Sequence, residues 1–188
     1  MTKLLLANSM MIDQREVRTQ QKLYGGIQHL YALKRPFDKI TISELCRIAK
    51  VGRATFYRHH QNIADVITIQ LLIVITEVTN RIDTRSSIDW RTASQLISRV
   101  ILENCGFFQL LRWTGLREQM VPIVGGVTQR VLIIRERRPT QMKLLCYGIG
   151  DALLGFAMQV ACIEPSLPLA DVVDLYRKLI PHDFTEKN

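Results

Sequence analysis

Between Gly52 and His60 the chain places Arg53, Thr55, Tyr57, Arg58 and His59, side chains whose donors suit the acceptors of a nucleic acid. An arginine can donate two parallel hydrogen bonds to a guanine edge, and threonine and tyrosine hydroxyls can bond phosphate oxygens. At 3.6 residues per turn, Ala54, Tyr57 and Arg58 share one face with Arg53 at its border, while Phe56 and His60 face away. A solvated helix face has much the same composition, so the surrounding sequence has to decide between the two.

Other chemistries find no comparable set. No glycine-rich phosphate loop and no GxSxG is present, and the four histidines, His29, His59, His60 and His182, lack metal-ligand spacing. His59 and His60 are adjacent, so on a helix they point to different faces and make no ligand pair. Cys46, Cys105, Cys146 and Cys162 lie far apart among apolar residues, without CxxC spacing. They are expected to be reduced core residues of a cytoplasmic protein. No enzyme, metal or cofactor is expected.

The charge is unevenly spread. The whole chain of 188 residues carries a formal +8 at a pI near 9.6, but residues 1–65 hold 11 Lys/Arg against 5 Asp/Glu, a net of +6, and residues 66–188 hold 14 against 12, a net of +2. A polyanionic partner would therefore meet the N-terminal third. Lys3 and the short run Leu4 to Ala7 are too brief for a signal peptide, so no export is expected. Leu144 to Ile163 is long and apolar enough to imitate a membrane span, but Asp151 near its middle makes a helix buried by protein the better reading; no membrane partner is expected.

Positioning the basic face requires helices, and helical spacing recurs while strand-like alternation is never sustained. Leu23, Ile27, Leu30 and Tyr31 predict a first helix from about Arg15 to Leu33, with Gly25 and Gly26 as weak points. Thr41-Ile42-Ser43-Glu44 is a capping box, with Thr41 accepting from an orphan amide and Glu44 reaching back, and it starts a short helix from Ile42 to Ala49. Lys50-Val51-Gly52 then breaks the pattern before a second short helix, Arg53 to His60, capped by Gly52. Two short helices around a tight turn make a helix-turn-helix. Asn62 with Asp65 starts a long helix towards Asn80. A polar loop over Thr84 to Asp89 leads to a helix from Trp90 to Asn104 capped by Asp89. Gly106, Gly115 and Pro122 divide shorter pieces, and helices follow over Val124 to Arg138, Thr140 to Ile163 and Leu169 to Ile180, the last ending at Pro181. The expected fold is all-α with about nine helices, and the expected division is 1–62 and 63–188.

Phe37-Asp38-Lys39-Ile40-Thr41-Ile42, then Ala49, Val51 and Arg53-Ala54-Thr55-Phe56-Tyr57-Arg58-His59, closely resemble the N-terminal domain of the TetR family of bacterial transcriptional regulators. With the first helix and the start of the fourth, the likeness covers roughly residues 15–70. It implies a dimeric repressor whose second short helix enters the major groove of double-stranded DNA at a palindromic operator, and whose remaining helices form a ligand-binding and dimerising domain. By position, Thr41, Arg53, Ala54, Thr55, Tyr57 and His59 correspond to the DNA-contacting set, with Arg18 near the backbone; pure capping by Thr41 remains the alternative. Four residues depart from the family pattern. Lys50 replaces the turn glycine and requires a strained or altered backbone there. Gly52 replaces a serine cap, His60 replaces a core phenylalanine and is expected to be a satisfied, partly buried histidine, and Ile63 replaces a lysine that would reach a phosphate.

Residues 66–188 bear no comparable motif. Gly148, Asp151, Ala152, Gly155, Phe156 and Gln159 form a helical stripe of mostly small and polar residues suited either to close contact with a second subunit or to intrachain packing; a homodimer is favoured because two-fold DNA sites reward two-fold proteins. Phe107, Phe108, Trp113, Met120, Met142 and Tyr147 could line a cavity for a small apolar effector or be plain core. A helix-turn-helix protein without any effector is the competing reading.

Overall fold

The computed structural model describes residues 14–83 and 89–180. Among them are nine α-helices and no strand: α1 Gln14–Ala32, α2 Ile42–Ala49, α3 Arg53–His59, α4 Ile63–Asp83, α5 Trp90–Glu103, α6 Cys105–Thr114, α7 Arg117–Ile134, α8 Met142–Val160 and α9 Leu169–Leu179. They divide into two compact units at Ile69/Gln70. The break lies inside α4, whereas sequence placed it before that helix. The polar loop expected before α5 lies, apart from Asp89, outside the described residues, and so does the expected stop at Pro181.

The first unit is held by an apolar seam. Leu23, Ile27 and Leu30 of α1, Leu45 of α2, Phe56 of α3 and Val66 and Ile67 of α4 are all buried. α1 runs unbroken through its glycines because Gly26 serves packing: a Cβ there would lie 2.9 Å from Leu45 Cδ1 and 3.3 Å from Ala49 Cβ, so the missing side chain lets α2 sit close. Gln20 Nε2 donates to the Val66 carbonyl at 2.9 Å, pinning α1 to the start of α4.

Local signals set the ends. Thr41 Oγ1 accepts from the Glu44 amide at 3.1 Å. Glu44's carboxylate meets Arg35 at 3.4 Å rather than closing the capping box as expected, because a neighbouring guanidinium is a stronger partner than an amide. Before α4 the box does close: Asn62 Oδ1 accepts from Asp65 N at 3.1 Å, and Asp65 Oδ2 accepts from Gln61 N at 2.6 Å and Asn62 N at 3.3 Å. Asp89 Oδ1 accepts from Thr92 N at 2.6 Å to start α5.

In the second unit α5 packs on α9, and α7 and α8 lie along one another. The expected division near Pro122 does not occur; α7 continues through it. Pro122 stands close to the helix start and is exposed, so it forfeits one early backbone hydrogen bond without entering packed structure. α8 is shorter than the apolar run suggested, ending at Val160. Among the described residues, the helix that is long and apolar enough to cross a membrane by composition is α4, over Ile63–Arg81. Of its apolar residues, Val66 and Ile67 are buried in the first unit and Leu71 and Val74 in the second, while Ile73 is exposed.

The cysteines depart in part from expectation. Cys46 and Cys146 are buried, Cys105 is half-buried and Cys162 is exposed, because Cys162 follows the end of α8, where the apolar pattern no longer faces a core. Burial pushes the thiols of Cys46, Cys105 and Cys146 up, which disfavours the reactive thiolate.

Candidate nucleic-acid interface

The α2–α3 corner depends on one backbone conformation. Lys50 caps α2 with φ 53° and ψ 44°, in the left-handed region, and its amide lies against the carbonyls of Arg47 and Cys46. The altered backbone expected for this lysine is therefore present. Val51 N donates to the Cys46 carbonyl at 3.0 Å, and the chain leaves the corner through Gly52, extended at φ −66° and ψ 142°, into α3.

α3 is anchored on one side only. Phe56 is fully buried, while Arg53, Ala54, Tyr57 and Arg58 are exposed, Tyr57 by 52%. The Tyr57 ring meets the Phe56 ring edge-on at 5.5 Å between centroids, which limits its freedom without burying its hydroxyl. The four residues that sequence put on one face thus share an open, basic surface, with donors that can address base edges and phosphates.

The remaining candidates are more engaged. Thr55 is half-buried, and the Thr41 hydroxyl is already the α2 cap, although the residue is exposed. His59 Nδ1 lies 3.5 Å from Glu16 Oε1 of α1, an ion pair whenever the imidazole is protonated. Arg18 is exposed and lies two residues beyond Glu16 on α1. Arg47 on α2 and Lys50 at the corner are also exposed and were missed as candidates; the excess of positive charge before residue 66 was the signal that could have found them.

His60 does not fit the satisfied, partly buried histidine expected of it. It is 3% exposed and its Nδ1 has no hydrogen-bond partner among the described residues. Its ring lies 5.3 Å from Phe56 and 6.5 Å from His59. Burial pushes its pKa below the usual 6.5; Asp65 pulls it up by less and His59 adds slightly to the drop. The ring behaves as a neutral packing element against Phe56.

The second unit contains an apolar cavity of about 220 Å³ lined from α4 to α9. Of the six residues expected to line one, Phe108 does. Phe107 and Met120 are buried elsewhere, and Trp113, Met142 and Tyr147 are half-buried and outside the lining. The walls are mostly aliphatic, with Val74, Ile97, Val127 and Leu153 typical of them, and include the rings of Trp90 and Tyr176.

The α8 stripe is largely occupied within its own chain. Arg117 Nη2 reaches Asp151 Oδ1 at 2.8 Å and the Asp151 carbonyl at 3.1 Å, and a Cβ at Gly155 would lie 3.0 Å from the same Nη2. Phe156 faces Tyr176 at 6.3 Å, and Arg112 Nη1 donates to Gln159 Oε1 at 3.4 Å. Ala152 is half-buried, and Gly148 is exposed with open space where a side chain would be. Among the described residues, no group of three His, Cys, Asp or Glu could hold a metal ion.

Comparison with known proteins gives two findings. The chain is 32% identical over 76 residues to YxbF of Bacillus subtilis, an uncharacterised HTH-type transcriptional regulator; the match takes in 40% of this chain and 20% of that protein. The chain thus spans about a fifth of the length of the curated relative it matches. It is also similar to the crystal structure of Lin0861 from Listeria innocua, with a TM-score of 0.83 and 27% identity over 91% of this chain and 93% of that one. No family model matches the chain.

Proposed function

We propose that the chain is a sequence-specific DNA-binding transcriptional regulator, a cytoplasmic, dimeric repressor of the TetR type released by a small apolar effector. The observation that carries the reading is the α3 surface: Arg53, Ala54, Tyr57 and Arg58 stand open on a helix fixed from behind by buried Phe56. The regulator matched over 76 residues supports the same reading. In it, α3 lies in the major groove with its two arginines on base edges, and Tyr57, Thr55, Thr41 and His59 hold the backbone. Arg18 adds a phosphate contact from α1.

The effector part of the proposal draws on the cavity in the second unit, since a fully packed interior would favour a regulator that senses nothing. Dimerisation draws on two-fold matching between protein and operator. Exposed Gly148, with Leu144 one turn earlier and also exposed, leaves the start of α8 open to a second copy.

Selection of bound sequences from random duplexes, followed by titration across salt concentrations, tests the reading. Enrichment of a two-fold sequence is expected, bound more weakly as salt rises. Salt-sensitive binding without enrichment would reduce the protein to a nonspecific DNA binder.

A further inference from the structure

The cavity in the second unit joins a mostly aliphatic lining to the phenol of Tyr176. Tyr176 of α9 lines it and is 3% exposed, and its hydroxyl forms no hydrogen bond with any described residue. Its ring is held between two others, with Trp90 at 5.5 Å and Phe156 at 6.3 Å. The next residue, Arg177, fixes α9 on α5: its Nε donates to Ser94 Oγ at 2.8 Å and its Nη2 to the Arg91 carbonyl at 3.1 Å. The phenol is thus preorganised. An acceptor placed in the cavity would give the hydroxyl a partner, worth about one neutral hydrogen bond.

Both threonines of the lining are committed. Thr79 Oγ1 donates to the Thr76 carbonyl at 3.1 Å and Thr128 Oγ1 to the Val124 carbonyl at 3.0 Å. Arg135, the residue that ends α7, already has an interaction of its own, and the lining is otherwise mostly apolar, so a charged ligand would give up hydration without recovering it. Burial pushes the Tyr176 pKa up, which keeps the phenol neutral and a donor. The volume of about 220 Å³ lies between the roughly 150 Å³ apolar cavity that admits benzene and the lower limit of about 300 Å³ for common ligand pockets.

We propose that the second unit binds a small neutral molecule of about one ring's size, apolar except for one oxygen that accepts a hydrogen bond from Tyr176. The assignment rests on the reading of the chain as a ligand-sensing regulator, and Tyr176 is its specificity-determining residue.

Calorimetric titration of the full chain without DNA, using acetophenone, ethylbenzene and benzoate as probes, tests it. Acetophenone is expected to bind about three- to tenfold more tightly than ethylbenzene, the worth of one neutral hydrogen bond, and benzoate more weakly than either. Tyr176→Phe should remove the difference while leaving ethylbenzene unchanged, and Val127→Phe, which fills the cavity from α7, should abolish binding of both neutral probes. Equal binding of acetophenone and ethylbenzene, a difference that survives Tyr176→Phe, binding that survives Val127→Phe, tightest binding of benzoate, or no binding of either neutral probe each overturns the proposal. Release of a selected duplex is scored separately: acetophenone that binds but leaves duplex affinity unchanged overturns sensing and not the ligand assignment.

Discussion

Gly125 of α7 and Gly150 of α8 touch through their backbones: a Cβ on Gly150 would lie 2.8 Å from the Gly125 nitrogen and 3.2 Å from the Val121 carbonyl oxygen. Neither neighbour is a side chain that could turn aside. Gly150→Ala should therefore force the helices apart and lower stability by about 2 kcal/mol, within the range for overpacking. Gly126→Ala, where the same atom meets open space, should be neutral or raise stability by up to about 1 kcal/mol through helix propensity. Urea midpoints of the two variants check the contrast, and equal midpoints would refute it.

Arg53→Ala and Tyr57→Ala should abolish binding to a selected palindromic duplex while leaving the unfolding curve in place, because both side chains are exposed. Loss of a bidentate arginine contact alone costs about 1–3 kcal/mol, or roughly five- to 150-fold. Phe56→Ala is the contrasting case: it should lose about 3–5 kcal/mol of stability through the cavity left in the core, and DNA binding with it. Duplex binding and urea unfolding, measured on the same preparations, separate the two effects.

His60 makes stability depend on pH with a definite sign. Its pKa is lowered in the fold by burial, so the unfolded chain takes up the proton first. Its contribution is complete above the unfolded value near 6.5 and is lost as pH falls from there towards the lower folded value. The urea midpoint should drop between about pH 7.5 and pH 5, and His60→Phe should flatten that drop. The substitution should also gain about 1 kcal/mol at neutral pH, since it removes an unpartnered buried nitrogen. Identical pH slopes in the two proteins would sink the assignment.

Lys50→Gly should stabilise the fold by about 0.5–1 kcal/mol. A side chain at φ 53° carries the steric cost of the left-handed region, and glycine escapes it at some expense in unfolded-state entropy. Thermal unfolding of the variant checks this, and a lower midpoint would show that the lysine side chain makes a contact worth more than the strain.

The first unit was legible in sequence because its determinants are local. Thr41, Lys50 and Gly52 act on residues within one turn of themselves, and the period that buries Phe56 also exposes Tyr57. Glu44 escaped because its partner, Arg35, comes from the preceding loop. The second unit was legible as helices and not as a site. Its cavity is bounded mainly by aliphatic residues of α4, α5, α7 and α8, and an aliphatic residue at a cavity wall has the same local sequence as one in solid core. Aromatic and methionine residues looked better suited to a pocket, yet Phe107 and Met120 fill interior volume. The crossing of Gly125 and Gly150 left no local signature either, since each glycine acquires its meaning from the other.

The left-handed lysine at the α2–α3 corner has a further consequence under the DNA-reading proposal. Glycine would turn the chain at no steric cost and contribute no charge; lysine turns it under strain and adds an exposed cation beside α3. If that cation neutralises one phosphate, the logarithmic salt slope should be steeper by about 0.9 than in Lys50→Gly. The variant would then be the sturdier protein and the weaker binder at low ionic strength, a trade of robustness for grip made by one residue.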